Sequence, residues 1–186
     1  RVGGARRCAW GMGGGMGVGL SGEGARVASS ARTPDKRADL VDEISAGGGE
    51  AISVPVDVTD PAAVKASAEN IVGTMGQIDV LATTVAVPAF GPFLEIDADV
   101  FRTALEVKYL GYINCFQAAL PHMIARETGA IVAITGTGGK LPIRIHLPGG
   151  SVNAALNLVL KGPANEYGPK GSRVNASSPG PPISAR

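Results

Sequence analysis

Strand-like and helical segments alternate along this chain, and this alternation constrains its fold more than any other feature. Six short segments are rich in the apolar or small residues of buried strands, and helical patterns separate them. The predicted strands are residues 7–10, 25–30, 51–56, 78–82, 129–135 and 173–177. Strands joined by helices pair in parallel, so the sequence predicts one α/β domain over residues 1–186, built on a doubly wound parallel sheet.

Several of the helical patterns have clear starts and ends. Thr33 and Pro34 form a cap and a first helical position, and Asp60 with Pro61 opens a helix that runs to Gly76. The other predicted helices cover residues 16–23, 98–126 and 150–167. The first of these is interrupted by two glycines, each of which costs roughly 0.5–1 kcal/mol relative to alanine.

A glycine-rich run follows the first predicted strand and precedes the first helix. Gly11, Gly15 and Gly17 stand where a strand-to-helix turn would bring bare backbone close to a phosphate. Without Cβ atoms, the chain can let a pyrophosphate rest on the first N–H groups of the helix. Glycine clusters also mark ordinary loops, so this run alone leaves both interpretations open. In doubly wound sheets, ligands bind beyond the carboxyl ends of the strands, at the switch point.

Composition and charge limit the partners and the cellular location that are expected for the chain. The chain has 186 residues and a formal net charge of +1, which gives no electrostatic case for a nucleic acid or an anionic membrane surface. Cys8 and Cys115 lie far apart and suggest no disulfide framework, so a cytoplasmic location is expected. No apolar run reaches the roughly 18 residues that a membrane span needs, and no metal site is predicted. Because the chain begins at Arg1, we expect it to be processed or a fragment.

Six short motifs occur in a characteristic order. They are Gly11-x-x-x-Gly15-x-Gly17, Gly24-Ala25-Arg26-Val27, Asp57-Val58-Thr59-Asp60, Ile78-Asp79-Val80-Leu81, Gly129-Ala130-Ile131-Val132 and Arg173-Val174-Asn175-Ala176. In this order and spacing, they resemble the short-chain dehydrogenase/reductase family over essentially the whole chain. The resemblance implies a Rossmann fold with strand order 3-2-1-4-5-6, a nicotinamide cofactor, and hydride transfer to or from a carbonyl or alcohol. It also implies that the seventh strand and C-terminal segment of the family are missing.

The same resemblance implies a set of cofactor contacts. Asp57, at the end of the third strand, would bind the adenine amino group, although an aspartate in this loop can also cap a helix. Where NAD-dependent members carry an acid, this chain has Ala31. The next residue, Arg32, would meet a 2′-phosphate, although an arginine at this place can also be a solvated surface charge. We therefore expect NADP or NAD, with a slight preference for NADP. The implied cofactor-binding residues are Gly11, Gly15, Gly17, Arg32, Asp57, Val58, Pro179 and Gly180.

The family's catalytic side chains are absent where the resemblance places them. Members use Asn to organise a relay water, Ser to position the carbonyl, Tyr to exchange the proton, and Lys to lower the pKa of the Tyr and hold the ribose. Aligned without gaps, these positions hold Lys108, Gly136, Gly149 and Asn153. No tyrosine is followed four residues later by lysine. The family's Asn-Asn-Ala-Gly stretch is replaced by Thr83-Thr84-Val85-Ala86.

Three residues are candidates to replace the missing catalytic functions: His146, Thr135 and Asn153. His146 could donate a proton near neutral pH, but the sequence around it indicates no partner that would orient the ring. Thr135 could offer a hydroxyl beside the vacant serine position. Lys108 is interpreted as a charge on a helix face, and Cys115 as a small core residue.

Three functional hypotheses follow for the chain. It is an NAD(P)-dependent oxidoreductase acting on a small carbonyl or alcohol, a dinucleotide-binding protein without turnover, or an inactive fragment of a reductase. Because the first helix is glycine-rich, we expect a loss of ~2–3 kcal/mol in cofactor binding and therefore an affinity in the high-micromolar range or weaker. With glycine at the Ser and Tyr positions, we expect no measurable ketone reduction. The family also implies a homo-oligomer paired through the two helices that flank the fifth strand.

Overall fold

A six-stranded sheet forms the centre of the fold, with its strands in the order β3-β2-β1-β4-β5-β6. The computed structural model describes residues 8–11, 14–30, 35–85 and 87–180. The strands are β1 Cys8–Gly11, β2 Arg26–Ser29, β3 Ala51–Ser53, β4 Val80–Thr83, β5 Gly129–Ile134 and β6 Ser172–Ser177. Every pairing between them is parallel. The predicted fold class and strand order are confirmed, and each strand overlaps its predicted segment.

The described α-helices fill the connections between the strands. They are α1 Gly14–Gly22, α2 Asp35–Ala46, α3 Pro61–Met75, α4 Ala98–Ala104, α5 Gly111–Ile124, α6 Leu147–Val159 and α7 Lys161–Tyr167. Helix α1 begins at Gly14, before the predicted start at Met16, and its glycines do not interrupt it, contrary to the prediction. None of the helices in the described part of the chain is long and apolar enough to cross a bilayer.

Helix α3 begins and ends where its local sequence predicts. The Asp60 carboxylate accepts hydrogen bonds from the backbone N–H groups of Ala62 and Ala63, at 2.9 and 3.0 Å, and Pro61 is the first helical residue. These contacts satisfy N–H groups that a helix leaves unpaired at its start. The helix ends at Gly76, whose φ of 80° is a left-handed conformation that glycine adopts readily.

The long helix predicted over residues 98–126 is divided by a π-helical segment, Leu105–Leu110, which lies between α4 and α5. In a π-helical turn the backbone hydrogen bonds join residues five apart, so side-chain directions differ from those of a continuous α-helix. Lys108 lies in this segment and is buried. The apolar pattern of the sequence does not indicate this change in helical register.

Two apolar clusters hold the layers together. The larger one joins α3, α5 and the sheet, and its fully buried members include Ile71, Tyr112 and Ile131. The smaller one joins α1, α2 and β2 through Val27 and Leu40. Because all strands are parallel, their carboxyl ends share one edge of the sheet, and the ends of β1, β4, β5 and β6 lie side by side there.

Candidate active site

The glycine-rich segment of residues 11–17 begins at the centre of this edge, where β1 ends. Gly11 is the last residue of β1, and it pairs with β2 on one side and β4 on the other. A Cβ at Gly15 would have no atom within 4 Å, so the backbone at the start of α1 is open to a ligand. A Cβ at Gly17 would lie 3.3 Å from Leu40 Cδ2, so this glycine lets α1 pack closely against α2.

The loop after β3 carries the next two predicted cofactor residues, Asp57 and Val58. The exposed Asp57 carboxylate accepts hydrogen bonds from the backbone N–H of Thr59, at 3.0 Å, and from its hydroxyl, at 2.8 Å. The Val58 carbonyl accepts a hydrogen bond from Asn114 Nδ2 at 2.8 Å, which fixes the loop to α5. Asp60 is the residue that caps α3, so the alternative interpretation of Asp57 as a helix cap is wrong.

The remaining predicted cofactor residues divide into two groups. Pro179 and Gly180 follow β6 at the same edge, and the Pro179 carbonyl accepts a hydrogen bond from the backbone N–H of Thr137 at 3.3 Å. Ala31 and Arg32 lie outside the described residues. The contact between Arg32 and a 2′-phosphate therefore stays a prediction.

The hydroxyl of Tyr112 ties together the ends of β4 and β5. Its oxygen lies 3.0 Å from the Thr83 carbonyl oxygen, 2.9 Å from that of Ile134 and 3.3 Å from that of Val85. The side chain is fully buried, and burial raises the pKa of the hydroxyl far above its usual range. It therefore stays protonated, and its single O–H donates among these carbonyls and ties the start of the loop after β4 to β5, a role that no sequence motif indicated.

A cavity of about 400 Å³ lies between the loop after β4, the π-helical segment and α6. Two titratable side chains face it among apolar neighbours. Its lining residues are Val87, Pro88, Phe90, Ala104, Lys108, His146, Gly149 and Val152. A cavity of this size and composition is typical of a small-molecule site.

Lys108 is a buried cation of this cavity, with only 8% of its surface exposed. Its Nζ donates a hydrogen bond to the Thr135 carbonyl at 3.4 Å and lies 5.9 Å from the centre of the Tyr112 ring. Burial lowers the pKa of Lys108 to about 8. The expectation that Lys108 is a solvated charge is wrong, because the π-helical segment directs the side chain inward.

His146 is held in the cavity from two sides. Its Nδ1 lies 3.0 Å from the Ala89 carbonyl oxygen, and its ring stacks on Phe90 with the ring centroids 4.4 Å apart. The sequence indicated no orienting partner, and this expectation is wrong. The partner was missed because Ala89 is 57 residues away in the sequence and approaches only through the loop after β4.

The His146 ring fills the space beside Gly149. A Cβ at position 149 would lie 2.2 Å from both Cε1 and Nε2 of His146. This distance is far below van der Waals contact, so the ring and any side chain at position 149 exclude each other.

Glycines bring the loop after β5 directly onto α6. A Cβ at Gly139 would lie 2.7 Å from Asn153 Cβ, and one at Gly136 would lie 2.9 Å from Asn153 Nδ2. Asn153 is 4% exposed, and its Oδ1 has no hydrogen-bond partner within the described residues. The loop and helix therefore leave a buried acceptor that a ligand hydroxyl can satisfy.

The Thr135 hydroxyl is hydrogen-bonded, and the Cys115 thiol is buried. The Thr135 hydroxyl lies 2.7 Å from the Ser178 hydroxyl and donates to the Ser177 carbonyl at 3.3 Å, so it faces the end of β6. Cys115 is fully buried, as predicted, and burial raises the pKa of its thiol to about 12. Within the residues that the structure describes, no group of three or more His, Cys, Asp or Glu side chains converges as a metal site.

Two of these observations fit a nicotinamide dinucleotide. The open backbone at Gly15 can take a pyrophosphate at the start of α1, as helix N-termini commonly do. The unpaired Oδ1 of Asn153 can accept a hydrogen bond from a ribose hydroxyl.

Comparison with known proteins agrees with this fold. The family model described as enoyl-(acyl carrier protein) reductase matches residues 8–183. The oxidoreductase UcpA of Escherichia coli K12 is 34% identical over 145 residues, which cover 76% of this chain and 54% of UcpA. The A-factor type γ-butyrolactone 1′-reductase of Streptomyces virginiae is 33% identical over 160 residues, which cover 85% of this chain and 62% of that protein. The chain therefore spans between half and two thirds of the length of these relatives.

Solved structures show the same fold over nearly the whole chain. A dehydrogenase/reductase from Sinorhizobium meliloti 1021 superposes with a TM-score of 0.87 at 26% identity, covering 95% of this chain and 72% of that one. A gluconate 5-dehydrogenase from Burkholderia cenocepacia J2315, in complex with NADP and tartrate, also has a TM-score of 0.87 at 26% identity. The match covers 94% of this chain and 71% of the gluconate dehydrogenase.

Proposed function

Because this chain belongs to the short-chain dehydrogenase/reductase family, we propose that it binds NADP or NAD and acts on a small carbonyl or alcohol in the cavity. The observation that carries the proposal is the open backbone at Gly15, at the start of α1. Gly11 ends β1 at the centre of the sheet edge, and Val87 and Pro88, which follow the neighbouring strand β4, line the cavity. The NADP complex of the Burkholderia cenocepacia enzyme supports a nicotinamide cofactor in a fold of this kind.

The residues proposed to hold the cofactor follow the edge of the sheet. Gly11, Gly15 and Gly17 form the pyrophosphate turn, Asp57 takes the adenine end, and Asn153 accepts a hydrogen bond from a ribose hydroxyl. Val58, Pro179 and Gly180 complete the proposed contacts, and Arg32 would favour NADP over NAD by pairing with its 2′-phosphate. When bound, the cofactor supplies or removes a hydride.

We further propose that the family's four catalytic side chains are absent from this chain. Their aligned positions hold Lys108, Gly136, Gly149 and Asn153. Gly136 and Gly149 offer no functional group, and the close approach of loop and helix leaves little space for one. Substrate chemistry therefore depends on the two polar side chains that line the cavity, Lys108 and His146.

A dinucleotide-binding protein without turnover is the second candidate function. It is favoured by the two glycines at positions 136 and 149, because general acid catalysis typically contributes about 10²- to 10⁴-fold and needs a positioned donor. Measured reduction of any ketone would exclude this candidate. Cofactor binding without reduction would favour it.

Calorimetric titration with NADPH and with NADH tests the proposed cofactor site. Gly15→Asp should abolish binding, because the carboxylate would repel the pyrophosphate, while the open space at Gly15 keeps the fold intact. Gly19→Asp is the matched control, since a Cβ at Gly19 also meets no atom within 4 Å but lies one turn further along α1. Equal affinities for the two variants would contradict the proposed site.

We also propose pairing of two copies through α5 and α6, which flank β5. Leu110 and Leu158 are large apolar residues on or beside these helices, and they are 48% and 69% exposed. Light scattering of the purified chain tests this proposal, and a monomeric mass at high concentration would contradict it.

A further inference from the structure

We propose that His146 exchanges the proton with the substrate oxygen, acting at Nε2 from the space that a side chain at position 149 would otherwise occupy. This inference rests on the proposed oxidoreductase function and gives it a proton donor and acceptor. The substrate class is a ketone or secondary alcohol small enough for a cavity of about 400 Å³.

The ring of His146 is fixed in one orientation. A carbonyl oxygen only accepts hydrogen bonds, so the contact of Nδ1 with the Ala89 carbonyl, at 3.0 Å, places a proton on Nδ1. In the neutral ring, Nε2 is then the basic nitrogen. The Phe90 ring, inclined by 20° to the imidazole, covers one face and restricts rotation.

The backbone around His146 is also held in place. The N–H of His146 donates to the Ile143 carbonyl at 2.8 Å, and its own carbonyl accepts from Gly150 at 2.9 Å. The neighbouring Ile145 carbonyl accepts from the N–H of Gly91 at 2.9 Å, which joins this loop to the one that carries Ala89 and Phe90. Both contacts of the ring therefore belong to one connected unit, which positions a proton-transfer group well.

The His146 ring lies beside position 149, which aligns with the catalytic tyrosine of the family. A Cβ at position 149 would clash with the far edge of the imidazole, at 2.2 Å from Nε2. A side chain rooted three residues earlier thus occupies the space where a side chain at position 149 would begin. Gly149 is required for this arrangement, because even alanine would displace the ring.

Lys108 is the other titratable group among the described residues that line the cavity. Its ammonium, held by the Thr135 carbonyl, provides positive charge in the cavity, where it favours negative charge on a substrate oxygen. The remaining lining residues are apolar or glycine.

The proton transfer balances in both directions. In reduction, the carbonyl carbon receives a hydride from a reduced nicotinamide, and the π electrons of the C=O bond take the proton from Nε2 of the imidazolium. The O–H bond forms as the Nε2–H bond breaks, and a neutral ring with its proton on Nδ1 remains, to be reprotonated by solvent. In oxidation, the neutral Nε2 accepts the hydroxyl proton as the hydride departs.

Nuclear magnetic resonance of the ring nitrogens tests the geometry without any turnover. The chain has two histidines, so His122→Gln leaves His146 as the single signal. When the ring is neutral, we expect its proton on Nδ1, whereas free neutral histidine carries this proton mainly on Nε2. Adding Gly149→Ala should displace the ring and restore the Nε2–H form. An Nε2–H ring in His122→Gln alone would overturn the inference.

Kinetics test the chemical role. NADPH-dependent reduction of ethyl acetoacetate and cyclohexanone should fall by about 10²- to 10⁴-fold in His146→Ala, with cofactor affinity unchanged, and should persist in His122→Gln. Equal rates in His146→Ala and wild type would overturn the inference while leaving the proposed function intact. Cofactor binding by the wild type without reduction of either ketone would also overturn it. Failure of the wild type to bind NADPH or NADH would instead refute the proposed function.

Discussion

Folding buries the ammonium group of Lys108 and removes it from water. Desolvation disfavours the charged form of an amine, which lowers the pKa of Lys108 from its ordinary value of 10.5 to about 8. Between these two pH values the unfolded chain retains the proton while the folded chain has lost it. Because the unfolded state then binds more protons, stability must rise with pH across this window.

Denaturant unfolding at several pH values measures this contribution. From about pH 7 to about pH 9.5, Lys108 should add roughly 2 kcal/mol to the unfolding free energy, and Lys108→Met should remove this increase. Lys65→Met is the matched control, because the Lys65 side chain on α3 is 75% exposed and should leave the slope unchanged. The same slope in both variants would contradict the assigned burial of Lys108.

Tyr112 contributes through a single hydroxyl at the ends of two strands. Tyr112→Phe keeps the ring but leaves buried carbonyls of β4 and β5 without this donor, which should cost about 1–3 kcal/mol. Tyr109→Phe, at a half-buried position of the π-helical segment, should cost less. Thermal or urea unfolding compares the two variants, and equal losses would show that the three-carbonyl contact does not stabilise the edge.

At the scale of elements, the contact between the loop after β5 and α6 depends on missing Cβ atoms. A Cβ at Gly139 would lie 2.7 Å from the Asn153 carbonyl carbon and 2.9 Å from Ala154 N, and this backbone cannot move aside alone. A Cβ at Gly138 would meet nothing closer than 3.5 Å, which is ordinary contact. The two neighbouring glycines therefore form a matched pair.

Gly139→Ala should destabilise the chain by about 1–3 kcal/mol through overpacking, whereas Gly138→Ala should cost much less. Urea unfolding of both variants measures the difference. Equal stability of the two would show that the loop can withdraw from α6, and the cavity would then be less rigid than its glycine contacts indicate.

Elements with local signals were predicted well, and those set by distant contacts were not. The start and end of α3 follow from Asp60, Pro61 and Gly76, which act within one turn. The π-helical segment has no such signal, so Lys108 was assigned to a helix surface. The orientation of His146 depends on the Ala89 carbonyl, and no local pattern reports a contact across 57 residues.

At the scale of the whole molecule, the strand order could be predicted because parallel strands and right-handed crossovers leave few arrangements, whereas the place of the site stays a prediction. Of the four positions proposed to align with the family's catalytic residues, Lys108 and Gly149 line the same cavity, and Gly136 lies against Asn153. What the sequence did not indicate is that His146 already occupies the volume beside Gly149. This affects any attempt to restore the family's chemistry.

Restoring the family's side chains should therefore require removal of His146. In the triple variant Gly136→Ser, Gly149→Tyr and Asn153→Lys, the new tyrosine would meet the imidazole, with its Cβ 2.2 Å from Nε2, and neither group would be positioned. Adding His146→Ala opens that space. Gly136 has a φ of 163°, an extended conformation that serine can adopt.

We expect NADPH-dependent reduction of ethyl acetoacetate to be at least about tenfold faster in the quadruple variant than in the triple variant, which corresponds to ~1.4 kcal/mol of transition-state stabilisation. Equal rates in the two variants, with cofactor binding intact, would show that the His146 ring yields freely to a side chain at position 149.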